Sequence, residues 1–170
     1  EDVLDALEER LAKATRRRFA REVPMGCLIS GGIDSSLIAL LAGAEGPLPS
    51  FALGWENADY DESDFAVQAA RAAGTTHHTL ILGDREVTEA VPRILAHIDE
   101  PLGDESVVPT WFVSRFAREH VTVALTGDGG DELFDGYPTM FADDVAQRID
   151  AMGLADQAGA AANWVARFLG

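Results

Sequence analysis

Pro24-Met25-Gly26-Cys27-Leu28-Ile29, running into Ser30-Gly31-Gly32-Ile33-Asp34-Ser35-Ser36, is the stretch on which the fold turns. The first six residues form a short apolar run of the kind a fully buried strand presents. Two glycines end it. Residues 35–44 (SSLIALLAGA) then read as a helix, stopped by the Gly and Pro of EGPLP. Strand, glycine turn and helix in immediate succession open a βα unit.

The alternation continues outward from this stretch. Residues 50–55 read as a strand, and residues 61–73 as a helix with acids in its first turn and Gly74 just past its end. Residues 76–82 read as a strand, 86–98 and 107–120 as helices, and the β-branched run 121–125 as a strand. Upstream, Val3, Leu4, Leu7 and Leu11 recur at helical spacing between charges, an amphipathic helix. The alanine-rich tail, 139–169, is expected to be helical. This pattern predicts an α/β fold: three layers, α/β/α, around a parallel sheet, with residues 1–170 as one domain. Ligands of such sheets bind beyond the carboxyl ends of the strands, where both glycine-rich loops of this sequence fall.

Composition narrows the class. At 47% apolar and 25% charged over 170 residues, the chain is an ordinary globular sequence with enough length to bury a core. No apolar run approaches the roughly 18 to 20 residues of a membrane span, and the charged residues 1–23 do not read as a signal peptide. Cys27 stands alone, so no intramolecular disulfide is expected, which suits a cytoplasmic setting. It reads as a small core residue and not as a nucleophile. The net charge is −16, and residues 1–23 contribute nothing to it, since their six acids and six bases cancel. A nucleic-acid binder needs a basic face, and this sequence has none.

Two loops carry chemistry. In Ser30-Gly31-Gly32-Ile33-Asp34-Ser35-Ser36 the glycines let bare N–H groups approach an anion, Ser35 and Ser36 add hydroxyl donors, and a helix N-terminus follows. Phosphate or pyrophosphate suits it, although no Walker A pattern is present. Asp34 would repel phosphate unless Mg²⁺ lay between them. The plain alternative is a strand–helix turn with Asp34 and Ser35 capping the helix. The second loop is Thr126-Gly127-Asp128-Gly129-Gly130-Asp131-Glu132-Leu133-Phe134-Asp135-Gly136-Tyr137. Its crowded carboxylates call for a cation; a solvated acidic loop with Asp131 near a helix start is the alternative. His77-His78 lacks a third ligand at useful spacing and reads as structural. Arg16-Arg17-Arg18 reads as a solvated helix end, and Trp111 and Phe112 as core.

Taken together, the two loops resemble the synthetase domain of the glutamine-hydrolysing asparagine synthetase family, within the N-type ATP pyrophosphatases. SGGIDSS is similar to the pyrophosphate loop of that superfamily, and TGDGGDELFDGY to the signature S-G-[DE]-G-x-D-E-[LV]-F-G-G-Y. YDESDFAVQAARAAGTTHH (60–78) and DEPLGDESVVPTW (99–111) agree with it. The resemblance implies an adenine nucleotide α-hydrolase-like fold and Mg²⁺ and ATP as cofactors. It implies that Ser30, Gly31, Gly32, Asp34, Ser35 and Ser36 hold the phosphates, and that Leu28, Leu53, Thr126 and Gly127 contact the adenosine. Asp34 and Asp131 would ligate the metal. Asp128 would be the catalytic residue facing the acyl substrate and the amine. The implied reaction activates a carboxylate, that of aspartate, as an acyl-adenylate with release of pyrophosphate. Ammonia from a glutaminase domain then gives asparagine and AMP.

The departures are as informative. Asp135 replaces the first Gly of the F-G-G-Y ending. The family's N-terminal glutaminase domain, with its nucleophilic cysteine, has no counterpart in this sequence. The lysine that the family places well beyond the second signature is also absent, because no lysine follows Lys13. The chain therefore reads as the ATP-binding core of a longer enzyme, expected to make no asparagine by itself. Same-fold ligases that close β-lactam or lasso-peptide rings, and a non-catalytic nucleotide-binding module, are the competing expectations.

Overall fold

A computed structural model describes residues 2–19, 22–100 and 102–152. Helix α1 (Val3–Arg18) begins at Asp2, whose side chain accepts from the Leu4 N–H, and ends on three arginines that complement its C-terminal dipole. One of them, Arg16, is not merely solvated: its Nε lies 2.7 Å from Glu45 Oε1. Strand β1 (Met25–Leu28) leads into α2 (Ile33–Gly43), β2 (Pro49–Trp55), α3 (Ser63–Ala73), β3 (Thr76–Leu82), α4 (Asp84–Leu95), α5 (Val107–Arg118) and β4 (Val123–Leu125). The strands form a parallel sheet in the order β3-β2-β1-β4. Helix α3 stops as its sequence predicts, with Gly74 in the left-handed region at φ 67°.

Strand alternation assigns the two faces of the sheet. Cys27 and Ala52 point with Ile29 into a cluster made with Ala39 and Ala42 of α2 and Ala66, Ala70 and Ala73 of α3. These small side chains let two helices lie close on the strands. Phe51 and Leu53 point the other way. Phe51, fully buried, packs with Ala117 and Val121, while Leu53 packs beside Leu82, Ala90, Ile94 and Phe112 under α4 and α5. Full burial of an aromatic ring of this size makes it a principal contributor to the core. Its ring also stacks with those of His78 and His120, at centroid distances of 5.5 and 5.4 Å. His77, on the opposite face, is bound through Nδ1 to Ser50 Oγ at 2.8 Å and through Nε2 to Thr79 Oγ1 at 3.1 Å. Burial, and then the neighbouring His78, lower its pKa. Both histidines are thus packing residues.

Element boundaries shift by up to three residues, most visibly at β4 and α4. Val121 and Thr122 precede the strand: the Val121 N–H returns to the Ala117 carbonyl at 2.9 Å, so the last turn of α5 claims it against its β-branched propensity. Helix α4 starts at Asp84 and ends at Leu95, earlier at both ends than periodicity suggested. The chain divides into two compact units, Glu1–Asp128 and Gly129–Gly170. The second contains α6 (Gly130–Phe134) and α7 (Pro138–Ala151); the remainder of the expected tail helix, 153–169, lies outside the described residues. No helix among the described residues is long and apolar enough to cross a membrane.

Cys27 sits in the middle of this sheet with no exposure, and burial pushes its thiol up to about 11. At pH 8 the native protein is therefore expected to leave an aromatic disulfide reagent unreacted, with one equivalent released only after unfolding. Rapid labelling of the folded chain, followed by absorbance, would contradict the core assignment.

Candidate functional site

The order β3-β2-β1-β4 reverses direction between β1 and β4, and both glycine-rich loops leave the sheet there. That is the topological switch point, where open α/β sheets bind ligands. After β1, Ser30 is held by its own loop. Its N–H donates to Ser35 Oγ at 3.2 Å, and the two hydroxyls lie 3.0 Å apart. The Gly32 N–H donates to Ser30 Oγ at 3.2 Å. Ser35 and Ser36 both turn their hydroxyls back onto the Gly32 carbonyl, at 3.3 and 2.6 Å. Gly32 is the N-cap of α2, and no side chain caps the helix. The capping role that a plain strand–helix turn would give to Asp34 and Ser35 is therefore not the one observed. Instead the first-turn N–H groups of α2 lack a side-chain acceptor, with the positive end of the helix dipole behind them. Asp34 is half-buried in that turn, and its carboxylate has no hydrogen-bond or ion-pair partner among the described residues.

Gly31 adopts φ +90°, and its backbone lies against the first turn of α3. A Cβ there would fall 2.6 Å from Phe65 Cβ and 2.8 Å from the Ala66 nitrogen. After β4, Gly127 makes the equivalent approach to α2: a Cβ on it would lie 2.5 Å from the Ser35 nitrogen and 3.0 Å from Asp34 Cβ. So residues 126–128 and the serine–glycine loop, far apart in sequence, are in backbone contact. The Asp128 N–H donates to Thr126 Oγ1 at 3.3 Å, which turns the chain and leaves the Asp128 side chain exposed. Leu28 ends β1 opposite Phe51, and Leu53 stands two residues beyond Phe51 on the same face. Both are half-buried among the apolar side chains under α4 and α5.

Asp131 belongs to the second unit. It is exposed in the first turn of α6, which follows Gly129 at φ +91°. The Gly136 N–H donates to the Asp131 carbonyl at 3.0 Å, and a Cβ on Gly136 would collide with the Asp131 carboxylate. Tyr137 donates its hydroxyl to Glu132 Oε1 at 2.9 Å. Asp135 occupies the left-handed region at φ 57°, ψ 40°. That explains why glycine suits this position in the signature, and why aspartate, one of the few residues that adopt this conformation readily, can replace it.

Two features escaped the sequence reading. The first is the packing of α3 onto Gly31. The second is Asp61, which read as an acid in the first turn of a helix; it precedes α3 and turns its carboxylate back onto the end of β2.

The family model for asparagine synthase matches residues 6–168. The chain belongs to the asparagine synthase family. It is 42% identical over 117 residues to glutamine-hydrolysing asparagine synthetase 1 of Bacillus subtilis, covering 68% of this chain and 18% of that protein. It is 41% identical over 138 residues to a Mycobacterium tuberculosis protein named as a candidate glutamine-hydrolysing asparagine synthetase, covering 81% of this chain and 21% of that protein. The chain thus spans about a fifth of the length of these asparagine synthetase relatives. Among solved structures, an ammonia-dependent NAD synthetase from Campylobacter jejuni superimposes with a TM-score of 0.51 at 13% identity, over 78% of this chain and 60% of that one. That likeness is one of fold, the adenine nucleotide α-hydrolase type.

Proposed function

We propose that this chain is the ATP-binding core of an ATP-dependent amide-forming ligase, an asparagine synthetase that acts on the side-chain carboxylate of aspartate with glutamine-derived ammonia. The observation that carries the reading is the close approach of Gly127 to Asp34 and Ser35, which joins the two signature loops at the uncapped start of α2. On binding, the hydroxyls of Ser30, Ser35 and Ser36 turn from the loop's own backbone to the ATP phosphates beside the loop N–H groups, with Gly31, which rests on α3, and Gly32, the N-cap of α2, shaping the loop. Leu28, Leu53, Thr126 and Gly127 hold the adenosine beyond the strand ends.

Asp34 suits Mg²⁺, since it offers beside a phosphate site a half-buried carboxylate without a partner among the described residues, and the family resemblance supplies Asp131 as the second oxygen ligand. When bound, the ion neutralises phosphate charge and makes the α-phosphorus more electrophilic. A carboxylate oxygen of the substrate attacks the α-phosphorus, the α–β bridging P–O bond breaks, and pyrophosphate leaves. The nitrogen of ammonia then attacks the acyl carbon, the acyl–phosphate C–O bond breaks, AMP departs and one proton is lost. Asp128 faces the acyl group and the amine, where its carboxylate accepts N–H bonds from the incoming nitrogen. Positioning of the reactants by these loops supplies much of the rate.

Calorimetric titration with ATP, with and without Mg²⁺, tests the reading. Metal-dependent binding is expected, with Asp34→Ala weakening it about 100-fold, or about 3 kcal/mol. The metal-free affinity should change much less. Equal losses in both conditions would remove Asp34 from the metal site. No binding by the folded wild-type chain would remove the nucleotide assignment for this chain.

A further inference from the structure

We infer that Asp61 is a positioning residue for the phosphate loop, acting through the first turn of α3. The inference rests on the ATP-binding reading above, but its geometry stands by itself. Asp61 Oδ1 accepts from the Trp55 N–H at 3.1 Å and from the Ser63 N–H at 3.2 Å, and Oδ2 accepts from the Ser63 hydroxyl at 3.0 Å. One side chain thereby ties the last residue of β2 to the first residue of α3. With both oxygens engaged by protein donors, Asp61 is a clamp and not a metal ligand. The two backbone N–H groups, Ser63 first and then Trp55, also hold its carboxyl below the usual range, so the clamp stays ionised at neutral pH. Gly54 makes room for it, since a Cβ there would lie 3.0 Å from Asp61 Oδ1 and 3.2 Å from Ser63 Cβ.

The clamp reaches the phosphate loop two residues further on. Phe65 and Ala66, in the turn that Asp61 begins, are the atoms against which the Gly31 backbone rests. Ala66 is 1% exposed and packs in one cluster with Ile29, the residue just ahead of the loop. A shift at the start of α3 therefore has no slack to absorb it before Gly31, because packed interiors transmit displacement. Asp61→Ala removes three hydrogen bonds and frees that turn. Asp61→Asn keeps one oxygen for the two N–H groups, and its amide can donate to the Ser63 hydroxyl, so it restores the clamp in neutral form.

The test uses the isotope-labelled full chain and two readouts. In Asp61→Ala the amide signals of Gly31 and Gly32 should move. Affinity for Mg·ATP and Mg·pyrophosphate should fall about tenfold with adenosine binding unchanged, and Asp61→Asn should return both to wild type. Unmoved glycine signals, or an equal loss for adenosine, would overturn the inference. A wild-type chain that binds no Mg·ATP would overturn the functional reading instead, leaving the amide signals to decide the coupling. Should Asp61→Ala not fold, Ser63→Ala, which removes one of the three bonds, should still move the Gly31 and Gly32 amide signals; no movement would overturn the inference.

Discussion

Gly31→Ala is expected to lower stability by about 3 kcal/mol and to abolish Mg·ATP binding, whereas Gly32→Ala, one residue on, costs at most about 1 kcal/mol. The two glycines look equivalent in the sequence and are not. Gly31 sits at φ +90°, a conformation that strains any L side chain, and a Cβ there would lie 2.6 Å from Phe65 Cβ and 2.8 Å from the Ala66 nitrogen. The second neighbour is backbone and cannot rotate aside, so either the loop lifts or α3 moves. Gly32 has an ordinary extended φ of −68°, and its hypothetical Cβ meets only the Ser30 hydroxyl oxygen at 3.3 Å. Its replacement costs the N-cap preference and little more. Thermal unfolding separates them: on the usual scaling for a chain of this size, Gly31→Ala should melt roughly 6 to 12 °C lower. Similar melting of the two variants would mean that the loop does not bear on α3.

This contrast shows where sequence is legible and where it is not. Strand, loop and helix around Ser30–Ser36 are local, because an apolar run, two glycines and a helical stretch declare themselves without distant partners. Strand β3 was read to the residue for the same reason. Leu28 and Leu53 entered only through the family resemblance; it is the strand register, with Leu28 opposite Phe51 and Leu53 two residues beyond it, that puts them on one face. What a periodic pattern does not carry is the third dimension of each loop. That Gly31 bears on α3, and that Gly127 bears on α2, depends on which helix lies across which strand end. The β4 boundary was misread because Val121 and Thr122 have strand propensity but are held by the end of α5 and by Pro24. Asp61 was missed because an acid near a helix start already has an ordinary explanation in the helix dipole; only its bond to the Trp55 N–H reveals a different task. Asp135 could be seen as a departure from the signature, but its left-handed backbone, which makes the departure tolerable, could not.

Gly127→Ala should be a second single methyl that severely damages nucleotide binding, through a different contact. A Cβ at this position would lie 2.5 Å from the Ser35 nitrogen, 3.0 Å from the Asp34 carbonyl carbon and 3.0 Å from Asp34 Cβ. These are atoms of the first turn of α2, the turn whose N–H groups are assigned to the phosphates. Real Cβ atoms do not approach so closely, so residues 126–128 must withdraw from α2. The expected loss is about 2 kcal/mol of stability and at least about 100-fold in Mg·ATP affinity, or about 3 kcal/mol. Gly129→Ala is the discriminating control. It carries the larger backbone strain, with φ +91°, yet a Cβ there would meet nothing within 4 Å. Strain alone predicts a stability cost of about 1 to 2 kcal/mol for Gly129→Ala with nucleotide affinity largely kept. If Gly129→Ala abolished binding while Gly127→Ala spared it, the contact between the loops would be incidental and the site would have to be built from the acidic loop alone. If Gly127→Ala is the one that fails, the single methyl acts by separating two backbones, and the glycine after β4 is there because the sheet brings a second loop against the helix that receives the phosphates.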